Sequence, residues 1–83
     1  MRTAQRPDRE SVVAILAAGA RRPPQAVPET VDSLGVAWLL AEADRCFGLD
    51  LELDDELLVR MSTVTGAVEA LQEAHGQQVR AGG

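Results

Sequence analysis

Asp32-Ser33-Leu34-Gly35-Val36-Ala37-Trp38-Leu39-Leu40-Ala41-Glu42-Ala43-Asp44-Arg45-Cys46-Phe47-Gly48 is the stretch that decides the fold. From Ser33 to Phe47 its apolar residues recur with helical period: Val36, Leu39, Leu40, Ala43 and Phe47 fall on one face, which is expected to meet a core. Leu34, Trp38, Ala41 and Arg45 fall on the opposite side. Asp32-Ser33 supplies capping chemistry at the start, and Gly48 suits a left-handed residue at the end.

Working toward the N-terminus, Arg21 to Pro28 contains Pro23, Pro24 and Pro28, which interrupt helix and predict a long proline-rich connection. Before it, Val12, Val13, Ile15 and Leu16 form the apolar stripe of another helix. Asp8 is expected to cap that helix, Ser11 to follow in its first turn, and Gly19 to stop it after about Ala18. Met1 to Pro7 reads as a flexible start.

Toward the C-terminus, Leu49-Asp50-Leu51-Glu52-Leu53 alternates apolar and polar residues as a strand does. With no second strand to pair with, it is expected to be an extended segment pinned to the core by its leucines. Asp54 or Asp55 should cap a short helix carrying Leu57, Leu58 and Met61. Ser62 or Thr63 should cap a last helix whose core stripe is Val64, Ala67, Val68 and Leu71. That helix is expected to fray near Gly76, which makes 76–83 a flexible tail and 8–75 the folded domain. The resulting expectation is an all-α fold, a small four-helix bundle of three longer helices and one short one, with the long proline-rich loop between the first two.

Composition agrees with that expectation. The 83 residues are 46% hydrophobic and only 2% aromatic, a core chemistry of Leu, Val and Ala that suits packed helices better than a sandwich of sheets. A net charge of −5 argues against nucleic acid as a partner, because binding to a phosphate backbone is driven by cations displacing counterions. Residues 1–31 carry five Arg against three acids, and residues 32–83 carry three Arg against ten. An acidic C-terminal part suits basic partners. A single cysteine, Cys46, forms no internal disulfide. No apolar run reaches the roughly 20 residues that cross a bilayer, and no signal peptide is visible, so a cytoplasmic protein without a membrane association is expected.

Catalytic ingredients are few. His75 is the only histidine and is far along the chain from Cys46 and the serines at the helix starts. No His and Cys residues have metal-ligand spacing. Asp54-Asp55-Glu56 lacks the turn glycine of a hard-cation loop and reads as acids favouring a helix dipole. A non-catalytic protein is expected. Taken alone, Asp32-Ser33-Leu34 is ordinary capping sequence.

Its surroundings add more. From Asp32 to Leu71 the chain resembles the acyl carrier protein family. The resemblance is carried in order by Asp32-Ser33-Leu34, Leu39-Leu40, Phe47-Gly48, Leu51 to Asp54, and Ser62-Thr63-Val64 with Ala67, Val68 and Leu71. It implies that a phosphopantetheinyl transferase moves 4′-phosphopantetheine from coenzyme A onto the Ser33 hydroxyl, with Mg²⁺ and base supplied by the transferase. It implies further that Asp32 helps the transferase recognise the site. Leu34, Trp38, Ala41, Glu42 and Arg45 would form the partner-binding face, and cargo would travel as a thioester between a loading enzyme and a downstream synthase. No resident metal is implied, and such carriers are monomers.

The face after Ser33 departs from the dense acidic stripe of fatty-acid carriers, since Gly35, Trp38 and Arg45 stand there with only Glu42 and Asp44 nearby. Trp38 is expected to stand exposed as a large apolar anchor for dedicated partners; its alternative is a ring folded back over the bundle edge. Thr30-Val31 replaces the paired glycines of modular peptidyl carriers, while Gly35 with Leu39-Leu40 is similar to free-standing aminoacyl carriers. The expectation is therefore a free-standing acyl carrier of polyketide or related specialised metabolism. An aminoacyl or peptidyl carrier with a stand-alone adenylating enzyme, and an unmodified helical interaction module, are the rivals. Ala43 suggests interior space for cargo, and Cys46 is expected to be buried as a small apolar residue.

Overall fold

A computed structural model describes residues 7–82, with side chains as far as Gln77. The expected flexibility of Met1 to Arg6, and that of Gly83, lies outside the described residues. Among the described residues the fold is all-α. It comprises α1 (Arg9–Ala20), α2 (Ser33–Phe47), α3 (Asp55–Arg60) and α4 (Val64–Gly82), with a 3₁₀ turn at Pro24–Ala26 between α1 and α2. No helix among these residues is long and apolar enough to cross a membrane.

Short polar side chains start every helix. Asp8 and Asp32 are extended residues whose carboxylates accept from the N–H of Ser11 and of Gly35, each at 2.7 Å. Asp54, not Asp55, caps α3 by accepting from the Leu57 N–H at 2.8 Å. At α4 the Thr63 hydroxyl accepts from the Gly66 N–H at 3.0 Å, while Ser62 turns back and donates to the Val59 carbonyl. Thr63 is thus the cap.

Helix ends differ more from expectation. Gly48 closes α2 in the left-handed region (φ 68°) as its residue type suggests. By contrast, α1 runs through Gly19 to Ala20 and closes on Arg21, itself left-handed at φ 57°. Gly19 serves space rather than termination. A Cβ there would lie 2.5–2.8 Å from three indole atoms of Trp38. Likewise the helical backbone of α4 continues through Gly76 to Gly82; one interior glycine costs a helix only about 1 kcal/mol. The connection from α1 to α2 is not wholly extended either, because Pro24 occupies the first position of the 3₁₀ turn, where a missing N–H is harmless.

The core draws on every part of the chain. Val12 and Leu16 of α1, Val36, Leu39 and Ala43 of α2, and Val64, Ala67, Ala70 and Leu71 of α4 pack with Val31, Leu49 and Met61. Leu40, Phe47, Leu57, Leu58 and Val68 are half-buried against it. Of the three leucines after Gly48, Leu49 is buried, Leu51 is half-buried and Leu53 is exposed, so the pinning is done chiefly at one end. Pro7 is buried, and its carbonyl accepts from the Gln72 side chain at 2.9 Å. Pro7, which sequence reading placed in the start of the chain ahead of the folded domain, thus packs against α4.

One clasp positions the α1–α2 connection. Thr30 pairs antiparallel with Thr63 as an isolated bridge. Val31 N–H donates to the Ser62 carbonyl, and Val64 N–H donates to the Glu29 carbonyl, both at 2.7 Å. The Glu29 carboxylate accepts from the Thr65 N–H at 2.9 Å and from the Arg9 guanidinium, which also donates to the Thr65 hydroxyl. Glu29 and Thr63 together satisfy the leading amides of α4, groups that a helix cannot satisfy internally. The backbone N–H of Thr65, its hydroxyl, and Arg9 hold the Glu29 carboxyl down at about 2. This clasp fixes Val31 in the core one residue before Asp32, and so sets where α2 begins.

Candidate functional site

Ser33 is the first residue of α2 and is exposed. Its hydroxyl makes no hydrogen bond among the described residues, because the capping role falls to its neighbour Asp32. The Asp32 carbonyl accepts from the Val36 N–H and its Oδ1 from the Gly35 N–H. The N–H groups of Ser33 and Leu34 have no partner among the described residues. Asp32 keeps its Oδ2 free of that cap bond. Chemically the result is a primary alcohol at the positive end of a helix dipole, with two outward amides and one carboxylate oxygen beside it.

The face around this alcohol is mixed. Leu34 is the most exposed large apolar residue among those described, at 78%. Ala41 and Arg45 are exposed, and Glu42 is half-buried. Arg45 donates to the Glu42 carboxylate at 2.6 Å, so the only charged pair among the expected face residues neutralises itself. The carboxylate in turn raises the guanidinium pKa.

Trp38 is exposed at 39%, as expected, and its ring at the same time leans on α1. Its indole N–H donates to the Ile15 carbonyl at 2.9 Å, and the ring lies over Gly19. An indole N–H seeks an acceptor, and Gly19 leaves room for the ring. Cys46 departs from expectation. It is exposed, since at this end of α2 the core side holds Ala43 and Phe47 and leaves Cys46 beside Arg45. Ala43 is fully buried in the core and does not line the groove described next. Cargo space beneath Ala43 is therefore withdrawn.

The space lies elsewhere. A groove of about 580 Å³ opens between the end of α1, the connection and the start of α2. Leu16, Val27, Val31, Leu34 and Trp38 give it apolar walls, and Asp32 on the other side of Ser33 also borders it. Among the described residues, Arg22 and Asp32 are the only charged ones around it. Arg22 holds a long contact to the Ala26 carbonyl, 3.4 Å from its guanidinium.

Sequence reading singled out Ser33, Asp32 and Leu34 through the family resemblance, the tripeptide alone being ordinary capping sequence. It missed Arg22, Val27 and Glu29, whose roles depend on contacts across the fold. Glu29 meets an amide 36 residues away, and no local pattern announces that. Among the described residues no group of three or more His, Cys, Asp or Glu side chains is placed to hold a metal ion. Comparison of the chain with protein-family models, curated proteins and solved structures gives no match.

Proposed function

We propose that this chain is an acyl carrier protein: a four-helix bundle, its first two helices joined by a proline-rich loop, that carries biosynthetic intermediates as thioesters on a 4′-phosphopantetheine arm attached to Ser33. Polyketide or related specialised-metabolite assembly is the setting that the sequence resemblance favours. The observation that carries the reading is the state of Ser33. It is exposed and at a helix start, its hydroxyl has no hydrogen bond among the described residues, and Asp32 relieves it of capping.

In the attaching step the Ser33 Oγ forms a bond to the β-phosphorus of coenzyme A. The bond from that phosphorus to the oxygen bridging the two phosphates breaks, and adenosine 3′,5′-bisphosphate leaves. The hydroxyl proton passes to a base on the transferase. Asp32 offers its Oδ2 to the transferase and its metal while Oδ1 keeps the helix capped. The Ser33 and Leu34 amides suit a phosphodiester, since outward N–H groups and the dipole at a helix start favour an anion. Leu34 and the visible edge of Trp38 supply apolar contact to enzymes that must bind and release. Once attached, the arm supplies a terminal thiol that holds acyl groups as reactive thioesters. Tethering raises the effective concentration of cargo at each docked enzyme without demanding tight docking.

The test is intact mass after incubation with coenzyme A, Mg²⁺ and a broad-specificity phosphopantetheinyl transferase, beside Ser33→Ala. A single phosphopantetheine gained by the native chain and not by the variant supports the reading. No gain in a chain shown to be helical refutes it and leaves an unmodified interaction module.

A further inference from the structure

We infer that Glu29 is a positioning residue for the modification of Ser33: with Arg9 and the head of α4 it holds the turn that presents the hydroxyl. The inference rests on the carrier reading above and adds to it residues outside the helix that bears the serine.

The first observation is how one side chain is shared. Glu29 Oε1 accepts from the Arg9 guanidinium of α1, and Oε2 accepts from the Thr65 N–H of α4 at 2.9 Å. The Glu29 carbonyl accepts from the Val64 N–H at 2.7 Å, and Arg9 also donates to the Thr65 hydroxyl at 3.2 Å. Helix α1, the connection and α4 thus meet on a residue that stands just ahead of Ser33. The second observation is how little else fixes this part of the chain. Between Pro23 and Val31, only Glu29 and Val31 hydrogen-bond outside the connection among the described residues. Ala26 and Val27 bond back to Pro23 and Pro24.

The third is the route from the clasp to the serine. Val31 is buried, and its Cγ1 lies 2.9 Å from where a Cβ on Gly35 would stand, with Asp32 Oδ1 at 3.1 Å. Its side chain therefore bears on the first turn of α2, at the residue whose N–H Asp32 caps. Movement of the clasp moves Val31, and with it the turn that carries the Ser33 Oγ. Attack on the phosphorus of coenzyme A needs that oxygen in line, and a misplacement of about 1 Å costs about 100-fold in rate. The docking face is separate. Leu34, Ala41 and Arg45 are exposed along α2, and none hydrogen-bonds to the clasp. Opening the clasp therefore lowers kcat for loading and leaves KM for the carrier nearly as it was.

Loading by the transferase is followed by intact mass over a range of carrier concentrations, for the native chain and variants shown by circular dichroism to be folded at the assay temperature. Glu29→Ala is expected to lower kcat about tenfold with KM changed less than about twofold. Glu29→Gln, whose amide oxygen can still accept from Thr65, should recover most of that loss. Arg9→Ala keeps the Thr65 bond, should fall between the two, and carries the test if Glu29→Ala does not fold. Asp54→Ala removes the α3 cap without touching the clasp and should load as the native chain does. Hydrogen exchange reads the same turn without loading: the Gly35 amide should exchange roughly tenfold faster in Glu29→Ala, with the Leu57 amide unchanged. Native kcat in the clasp variants, or a loss confined to KM, overturns the inference. An equal loss of kcat in Asp54→Ala also overturns it, since stability alone then explains the effect. These results leave the carrier reading intact. A native chain that gains no phosphopantetheine overturns the carrier reading and the positioning role with it.

Discussion

Replacing Gly19 by alanine tests whether the seat of Trp38 is what the structure says it is. Gly19 lies within α1, where alanine is favoured over glycine by about 1 kcal/mol, so helix propensity alone predicts stabilisation. The structure predicts the opposite. The new Cβ would lie 2.5 Å from the indole nitrogen and 2.6 and 2.8 Å from two ring carbons, whereas non-bonded carbons pack at about 3.5–4.0 Å. The ring must withdraw by about 1 Å or more, which takes its N–H beyond reach of the Ile15 carbonyl, now 2.9 Å away. Losing that bond costs about 1 kcal/mol. Baring about 80 Å² of ring costs about 2 kcal/mol more. Set against the gain from alanine, the net loss is about 2 kcal/mol, or roughly 8–16 °C in Tm for a domain of this size. The assay is urea unfolding followed by circular dichroism, with Trp38 emission recorded on the folded protein. Gly76→Ala is the control, because nothing lies within 4 Å of a Cβ there; it should gain about 1 kcal/mol. If Gly19→Ala gains stability as the control does and its emission does not shift to the red, the account of Trp38 is refuted.

Other consequences follow from the same geometry. Ser33→Ala should leave stability within about 0.5 kcal/mol of the native chain, as for an exposed surface position, while abolishing phosphopantetheine loading. Asp32→Ala should lose about 1 kcal/mol as a broken N-cap as well as load more slowly; chemical denaturation and mass spectrometry read the two effects separately. Gly66→Ala should destabilise the protein, because the added methyl overlaps the backbone carbonyl of Arg60, and backbone at the α3–α4 turn yields less readily than a side chain. Equal or greater stability in an unfolding titration would contradict that packing. For Glu29, a carboxyl held at about 2 in the folded chain against 4.5 as its ordinary value contributes stability that is present above pH 4.5 and is lost as pH falls through 2. The native chain should therefore lose stability on acidification over that range more steeply than Glu29→Gln, as followed by thermal melts at a series of pH values.

How much was legible beforehand depended on how local each cause was. The positions of α2 and α3 and the start of α1 could be read from short polar residues standing before apolar periodicity, because a cap acts on amides two or three residues away. The choices between Asp54 and Asp55 and between Ser62 and Thr63 could not, since adjacent residues offer the same oxygen to the same turn. Gly19 and Gly48 show the same limit. Both look like helix stops, yet Gly48 closes a helix and Gly19 makes room for a ring that arrives from α2.

By itself, then, the sequence determined the helical class of this protein, the stripe of α2 that enters the core, and Ser33 as an exposed alcohol at a helix start. Each of these follows from interactions within one or two turns of chain. Only the tertiary structure decided where Trp38 lies, how Glu29 and Arg9 hold the connection against α4, and that open space lies between α1 and α2 rather than under Ala43. Those depend on residues 20 or more positions apart meeting across a packed interior. Which small side chain leaves a gap, and which is filled by a neighbour, is settled only when every element is in place.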